Sequence, residues 1–217
     1  MYPNGWNETT TNEVGCYYSF NYSNVHFAVL DNLENDSRVL SQEQLNWLDE
    51  DLARNKDNWK FLTFHLSMYS TSDHGPDPKM QEQLEPLMYK HKVNALFFGH
   101  DHIYESYHVN STSTEYPGTY AFLCAGGGGS LKPVTSTPTM GERVWNGTTN
   151  EHGNFILEVQ HSNNPAIHQL EGSEYQIYGE RVHHYMSVEL EGESATFRAY
   201  RTIDDSLIQE FVNVSRT

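Results

Sequence analysis

Val93-Asn94-Ala95-Leu96-Phe97-Phe98-Gly99-His100-Asp101-His102 joins a short apolar run to an abrupt polar end. The run from Val93 to Phe98 has the length and composition of a buried strand, and a glycine closes it. His100 and His102 then fall just past the strand end, separated by one residue. Gly99 is read as the residue that lets the chain turn sharply and lets a ligand approach the backbone. Two imidazoles at i and i+2 do not easily reach one ion unless the backbone bends, but they can address two adjacent ions.

The same pattern lies upstream. Trp59 to Phe64 is a second apolar run, and it ends in His65. A polar loop with Gly75 and Pro76 follows, then Asp77-Pro78, an N-cap with proline at the first helical position. The helix after it carries Met80, Leu84, Leu87 and Met88, and Pro86 is expected to kink or restart it. Before Trp59, Ser41 and Gln44 form a capping box for a helix with Leu45, Trp47, Leu48 and Leu52 on one side. Earlier still, Tyr18 and Phe20, then Val25, Phe27 and Val29, alternate as paired strands around a Tyr22-Ser23-Asn24 turn.

Strand, helix, strand, helix, strand is the α/β pattern, in which ligands sit beyond the carboxyl ends of the strands. His65, His100 and His102 are therefore expected along one sheet edge. Three converging imidazoles suit zinc, iron, manganese or nickel better than calcium. After residue 102, shorter strands are expected at Ile103–His108, Tyr120–Ala125, Phe155–Val159, Tyr185–Leu190, Ala195–Tyr200 and Leu207–Val212. Residues 130–150, rich in Thr, Pro, Gly and Asn, read as a long surface loop. His183 and His184 are adjacent, so a strand would point them to opposite faces, and they are read as structural. No linker divides the chain. It reads as one domain over 1–217, α/β in 1–108 and mainly strands and loops in 109–217.

Composition supports a folded chain: 217 residues, 37% hydrophobic and 13% aromatic. A net charge of -16, from 29 acidic against 13 basic residues, disfavours a polyanionic partner, and no basic stripe of a nucleic-acid binder is visible in the sequence. No apolar stretch approaches the roughly 20 residues of a membrane span. Twelve histidines is a high count for this length and invites a metal. Cys16 and Cys124 could pair, but two cysteines so far apart in sequence are more often two free buried thiols. The pattern N-x-[S/T] recurs at Asn7, Asn21, Asn35, Asn110, Asn146 and Asn213, which points to an extracytoplasmic or secreted, glycosylated protein.

Val93 through Glu105, with its G-H-x-H core and the following Tyr104-Glu105, resembles the motif of calcineurin-like metallophosphoesterases, and the Tyr-Glu pair their purple acid phosphatase branch. Phe61 through Ser70 resembles that branch's H-x-P-x-Y-S segment, with Ser67 in place of the proline. That departure is expected to touch loop rigidity rather than a ligand. The glycine run Gly126–Gly129 and the closing His183-His184-Tyr185, Ala195-Thr196-Phe197 and Ala199-Tyr200 fit as well. The resemblance implies the C-terminal half of a metallophosphoesterase β-sandwich flanked by helices, closing with a run of β-strands. It implies a phosphate ester substrate and a dinuclear site of two divalent or trivalent ions, iron, zinc or manganese. His65 and His100 would bind one ion and His102 the other. His74 matches a histidine that faces the substrate phosphate, able to donate to a phosphoryl oxygen or to protonate the leaving group. Gly126–Gly129 is not a phosphate loop, since no G-K-[S/T] follows; it is expected to allow close packing beside the site.

Such a site also needs carboxylates, in this family from G-D and G-N-H motifs, and neither motif occurs in this sequence. The expectation is a C-terminal part of a longer enzyme, whose N-terminal half supplies the Asp and Asn ligands. Met1-Tyr2-Pro3-Asn4-Gly5-Trp6 does not read as a signal peptide. Alone, the chain is expected to bind metal weakly and to hydrolyse little. Two other readings keep the fold: a phosphodiesterase or nucleotidase, and a non-catalytic or degenerate module that binds metal or a partner chain.

Overall fold

A computed structural model describes residues 7–10, 17–33, 38–70, 74, 76–110, 118–124, 129–131, 156–160 and 175–215. Among them are the strands β1 (Asn7–Thr10), β2 (Tyr18–Tyr22), β3 (Val25–Val29), β4 (Trp59–Thr63), β5 (Ala95–Phe98), β6 (Tyr104–Asn110), β7 (Gly118–Cys124), β8 (Ile156–Gln160), β9 (Tyr175–Glu180), β10 (His184–Glu191), β11 (Ser194–Arg201) and β12 (Leu207–Ser215). Two helices, α1 (Gln42–Arg54) and α2 (Pro78–His91), link β3 to β4 and β4 to β5.

The strands form a nine-stranded sheet in the order β1-β2-β3-β4-β5-β7-β6-β9-β8 and a three-stranded antiparallel sheet β10-β11-β12. The centre of the large sheet, β3-β4-β5-β7, is parallel. Its strands alternate with period two, so each presents one residue set to each layer. Ala28, Leu62 and Leu96 pack with Leu48, Leu52, Met80, Leu84 and Met88 of the helices. Val25, Trp59, Phe61, Ala95 and Phe122 turn the other way, onto Ala195 and Phe197 of the small sheet. The Phe197 ring lies 5.2 Å from Phe122 and 5.9 Å from Phe61, which stitches the two sheets together. The architecture is the expected mixed α/β one, with a large sheet, few helices and closing strands.

Local signals account for the elements that lead to the site. The hairpin turns on Ser23, which takes a positive φ of 55°. Ser41 caps α1, its Oγ accepting the Gln44 N–H at 3.2 Å. The Gln44 side chain also clasps the Asp31 backbone, accepting its N–H and donating to its C=O. Asp77 caps α2, and Lys92 ends it in the left-handed conformation. Pro86 does not restart that helix, which runs unbroken from Pro78 to His91. It forfeits one backbone hydrogen bond, while buried Leu84 and Met88 keep both sides of it docked. β1 and β9 were not anticipated; β9 is recruited by pairing with β6 and β8.

A buried polar knot joins the hairpin to α1. His26 Nε2 lies 2.6 Å from Asp51 Oδ2, Ser19 donates to Asp51 Oδ1, and His26 Nδ1 meets Asn21 Oδ1 at 2.7 Å. Asn21 also donates to Asn55, so this member of the N-x-[S/T] set is tied up internally. Cys124 is a free thiol whose pKa is pushed up by burial, and Cys16 lies outside the described residues. So do Gly126–Gly128, Phe155 and residues 132–150 of the expected loop. Among the described residues no helix is long and apolar enough to cross a membrane.

Candidate metal centre

Three consecutive parallel strands end at one edge, and the loops beyond them are laced together by hydrogen bonds. After β3, buried Asn32 donates its amide to the Leu66 C=O and accepts the Leu66 N–H, both at 3.1 Å. That clasp fixes the loop on which His65 stands. The Gly99 N–H donates to the His65 C=O at 2.9 Å, and Ser67 Oγ donates to the Gly99 C=O at 2.6 Å. Ser67, at the position where the resembled segment has proline, therefore adds a bond to the Gly99–His102 loop.

The sharp turn in this loop falls on His100, not on Gly99. His100 has a φ of 74°, and the Asp101 N–H closes a tight turn back to the Gly99 C=O at 2.9 Å. A non-glycine residue held there stores strain, as is common at functional sites. The turn brings the His100 ring to 5.3 Å from His65 and 4.3 Å from His74, centroid to centroid. His100 Nε2 is buried and makes no hydrogen bond among the described residues. Burial first, then the neighbouring His74, holds the His100 pKa below the ordinary imidazole value. Both effects favour the neutral ring, the form whose lone pair can bind a metal.

His102 is oriented by its other nitrogen. Nδ1 lies 2.8 Å from the Ser130 C=O, which can only accept, so Nδ1 carries a proton and the neutral ring has its lone pair on Nε2. A Cβ on Gly129 would lie 2.7 Å from the His102 Cε1, so that glycine leaves the ring its place. The expectation that the glycine run packs closely beside the site holds at this position.

His74 turns its Nδ1 to Asp101 Oδ1 at 2.6 Å. Asp101 is fully buried and its Oδ2 meets Ser70 Oγ at 2.6 Å and Ser67 Oγ at 3.2 Å. Arg38, Lys79, His74, His100 and Ser67 line a cleft of about 430 Å³ here, with Asp77 also on its wall. His183 and His184 lie elsewhere, His183 exposed and His184 buried.

The donors present fit part of a metal site. One buried imidazole nitrogen is unpartnered, a second imidazole is tautomerically fixed, and a third lies beside the first. Among the described residues, however, no three His, Cys, Asp or Glu side chains converge to hold a single ion. Asp101, Asn32, Arg38 and Lys79 were not singled out from the sequence. Asp101 could have been, since it lies inside the G-H-x-H motif, and Asn32 since it follows β3 as His65 follows β4.

Residues 2–104 match the family model of calcineurin-like phosphoesterases, and that segment holds His65, His74, His100 and His102. Its similarity runs to the purple acid phosphatase branch. The chain is 32% identical over 119 residues to purple acid phosphatase 21 of Arabidopsis thaliana, which is 52% of this chain and 27% of that protein. It is 30% identical over 125 residues to tartrate-resistant acid phosphatase type 5 of Oryctolagus cuniculus, 55% of this chain and 36% of that one. The chain thus spans about a quarter to a third of the length of these relatives. In fold it is similar to purple acid phosphatase PPD1 from yellow lupin seeds, with a TM-score of 0.61 at 16% identity over 90% of this chain and 32% of that one. It also resembles GAP50, the anchor in the inner membrane complex of Plasmodium, with a TM-score of 0.60 at 13% identity over 100% of this chain and 56% of that one. At such identities the fold is what is shared.

Proposed function

We propose that this chain carries the histidine half of the site of a metal-dependent phosphoric ester hydrolase of the acid phosphatase kind. The observation that carries the reading is the buried, unpartnered Nε2 of His100 on its strained turn, beside His65 and one residue from His102. His65 and His100 would hold one ion and His102 a second, with iron, zinc or manganese matching the nitrogen donors. Bound there, such ions would neutralise phosphoryl charge and acidify water.

The chain's own residues do the rest. Arg38 and Lys79 bring positive charge to the cleft that His74 and His100 line, which draws in and orients a phosphate ester. His74 hydrogen-bonds a phosphoryl oxygen or gives a proton to the departing alkoxide. The carboxylate ligands come from outside this sequence, from the N-terminal half of the same domain. The proposal includes an extracytoplasmic or secreted location, on the strength of the N-x-[S/T] sites other than Asn21.

The product of the complete reading frame tests this with p-nitrophenyl phosphate. Hydrolysis that needs added manganese, zinc or iron and is lost with His100→Ala supports the reading. Hydrolysis that survives both chelation and His100→Ala overturns it.

A further inference from the structure

We propose that Asp101 is a positioning residue that holds His74 in its Nδ1–H form, so that any proton His74 exchanges with a ligand in the cleft passes through Nε2. The proposal rests on the phosphoesterase reading for its purpose, but its geometry is local. Asp101 Oδ1 stands 2.6 Å from His74 Nδ1, and an ionised carboxylate can only accept, so the proton belongs to the imidazole.

Both oxygens of Asp101 are held by neighbouring side chains. Ser70 Oγ meets Oδ2 at 2.6 Å, and a hydroxyl facing a carboxylate is a donor. Ser67 Oγ is 2.6 Å from the Gly99 C=O and 3.2 Å from the same Oδ2. Its single proton goes mainly to the shorter contact, which ties the base of Asp101 to the loop it stands on. Asp101 is fully buried, whereas the His74 side chain is 31% exposed and lines the cleft. A buried acceptor behind a half-exposed ring is the arrangement that fixes a tautomer from behind. A solvated neutral histidine side chain prefers the opposite, Nε2–H form, so the expected state differs from the default. Asp101 touches neither substrate nor product; it acts through His74.

Long-range proton–nitrogen NMR on the metal-free, nitrogen-15-labelled chain reads this directly at about pH 9, where an ordinary imidazole is neutral. The His74 signals are assigned by their loss in His74→Gln. The expected wild-type pattern is Nδ1–H, moving to mainly Nε2–H in Asp101→Asn and returning to Nδ1–H in Asp101→Glu. An Nε2–H pattern in the wild type overturns the proposal without any Asp101 variant, even if Asp101→Asn fails to fold. A tautomer unchanged in a folded Asp101→Asn overturns it too. The readout is the tautomer and not turnover, so failure of the phosphoesterase reading appears in the ester assay and failure of this one in the spectrum.

Discussion

The backbone of Gly129 forms a wall of the slot in which the His102 imidazole stands: a Cβ there would lie 2.7 Å from Cε1 and 3.0 Å from Nδ1. The same edge of the ring is anchored by the Ser130 carbonyl, which accepts from Nδ1 at 2.8 Å. A glycine and its neighbour thus set both the place and the tautomer of one candidate ligand.

Gly129→Ala should therefore push the His102 ring aside rather than unfold the protein, because a side chain gives way more easily than backbone. Misplacing a ligand's support typically lowers metal affinity about 10–100-fold. Zinc titration calorimetry on the chain, with a thermal melt alongside, checks this. Unchanged zinc affinity would count against His102 as a ligand.

His100 holds a φ of 74°, a conformation that favours glycine. Relieving such strain is worth on the order of 1 kcal/mol, partly offset by the greater freedom of an unfolded glycine. His100→Gly should leave urea stability equal or slightly raised while metal binding falls. A loss of more than about 1 kcal/mol would show that the ring contributes to folding and that the turn is not strained.

His184 is buried, its Nδ1 3.1 Å from the Val182 C=O and its ring edge-on to Tyr104 at 5.0 Å. Burial holds its pKa below the ordinary value, against the weaker opposing pull of Val182 and Glu180. The unfolded chain therefore binds a proton that the folded chain refuses. Stability from this group is complete above about pH 6.5 and falls as the pH drops through and below that value. Urea unfolding at about pH 7.5 and about pH 5.5 should show a smaller acid loss in His184→Leu than in the wild type. An equal loss would assign the acid sensitivity elsewhere.

Asp51 is fully enclosed, with His26 at 2.6 Å and Ser19 at 3.1 Å. Removing one partner of a buried pair strands the other, at a cost of about 3–5 kcal/mol. Asp51→Ala should lose stability on that scale by denaturant titration, and a loss under about 1 kcal/mol would mean that the pair is not needed to hold the hairpin on α1.

Much of the path to the site was legible because its signals are local. Period-two alternation marked β2 and β3, Ser41 and Asp77 marked the helix starts, and short apolar runs marked β4 and β5 with His65 and His100 just beyond them. What was not legible depends on contacts far apart in sequence. Asn32 reaches Leu66 and His74 reaches Asp101 only because β3, β4 and β5 lie side by side. The turn was expected at Gly99 from residue preference, yet it falls on His100, because lacing of Gly99 to His65 and Ser67 overrides that preference. β9 has a strand-like run of Tyr175, Ile177 and Tyr178, but its place is set by the edge of β6.

The reading of this site stands on His65, His100 and His102 as metal ligands. Cobalt(II), an optical stand-in for zinc, titrated into the 217-residue chain tests it most directly, read by its visible absorption. Weak binding is expected, falling at least about 10-fold in each of His65→Ala, His100→Ala and His102→Ala and untouched in His183→Ala. Binding that is unchanged in His100→Ala would contradict it.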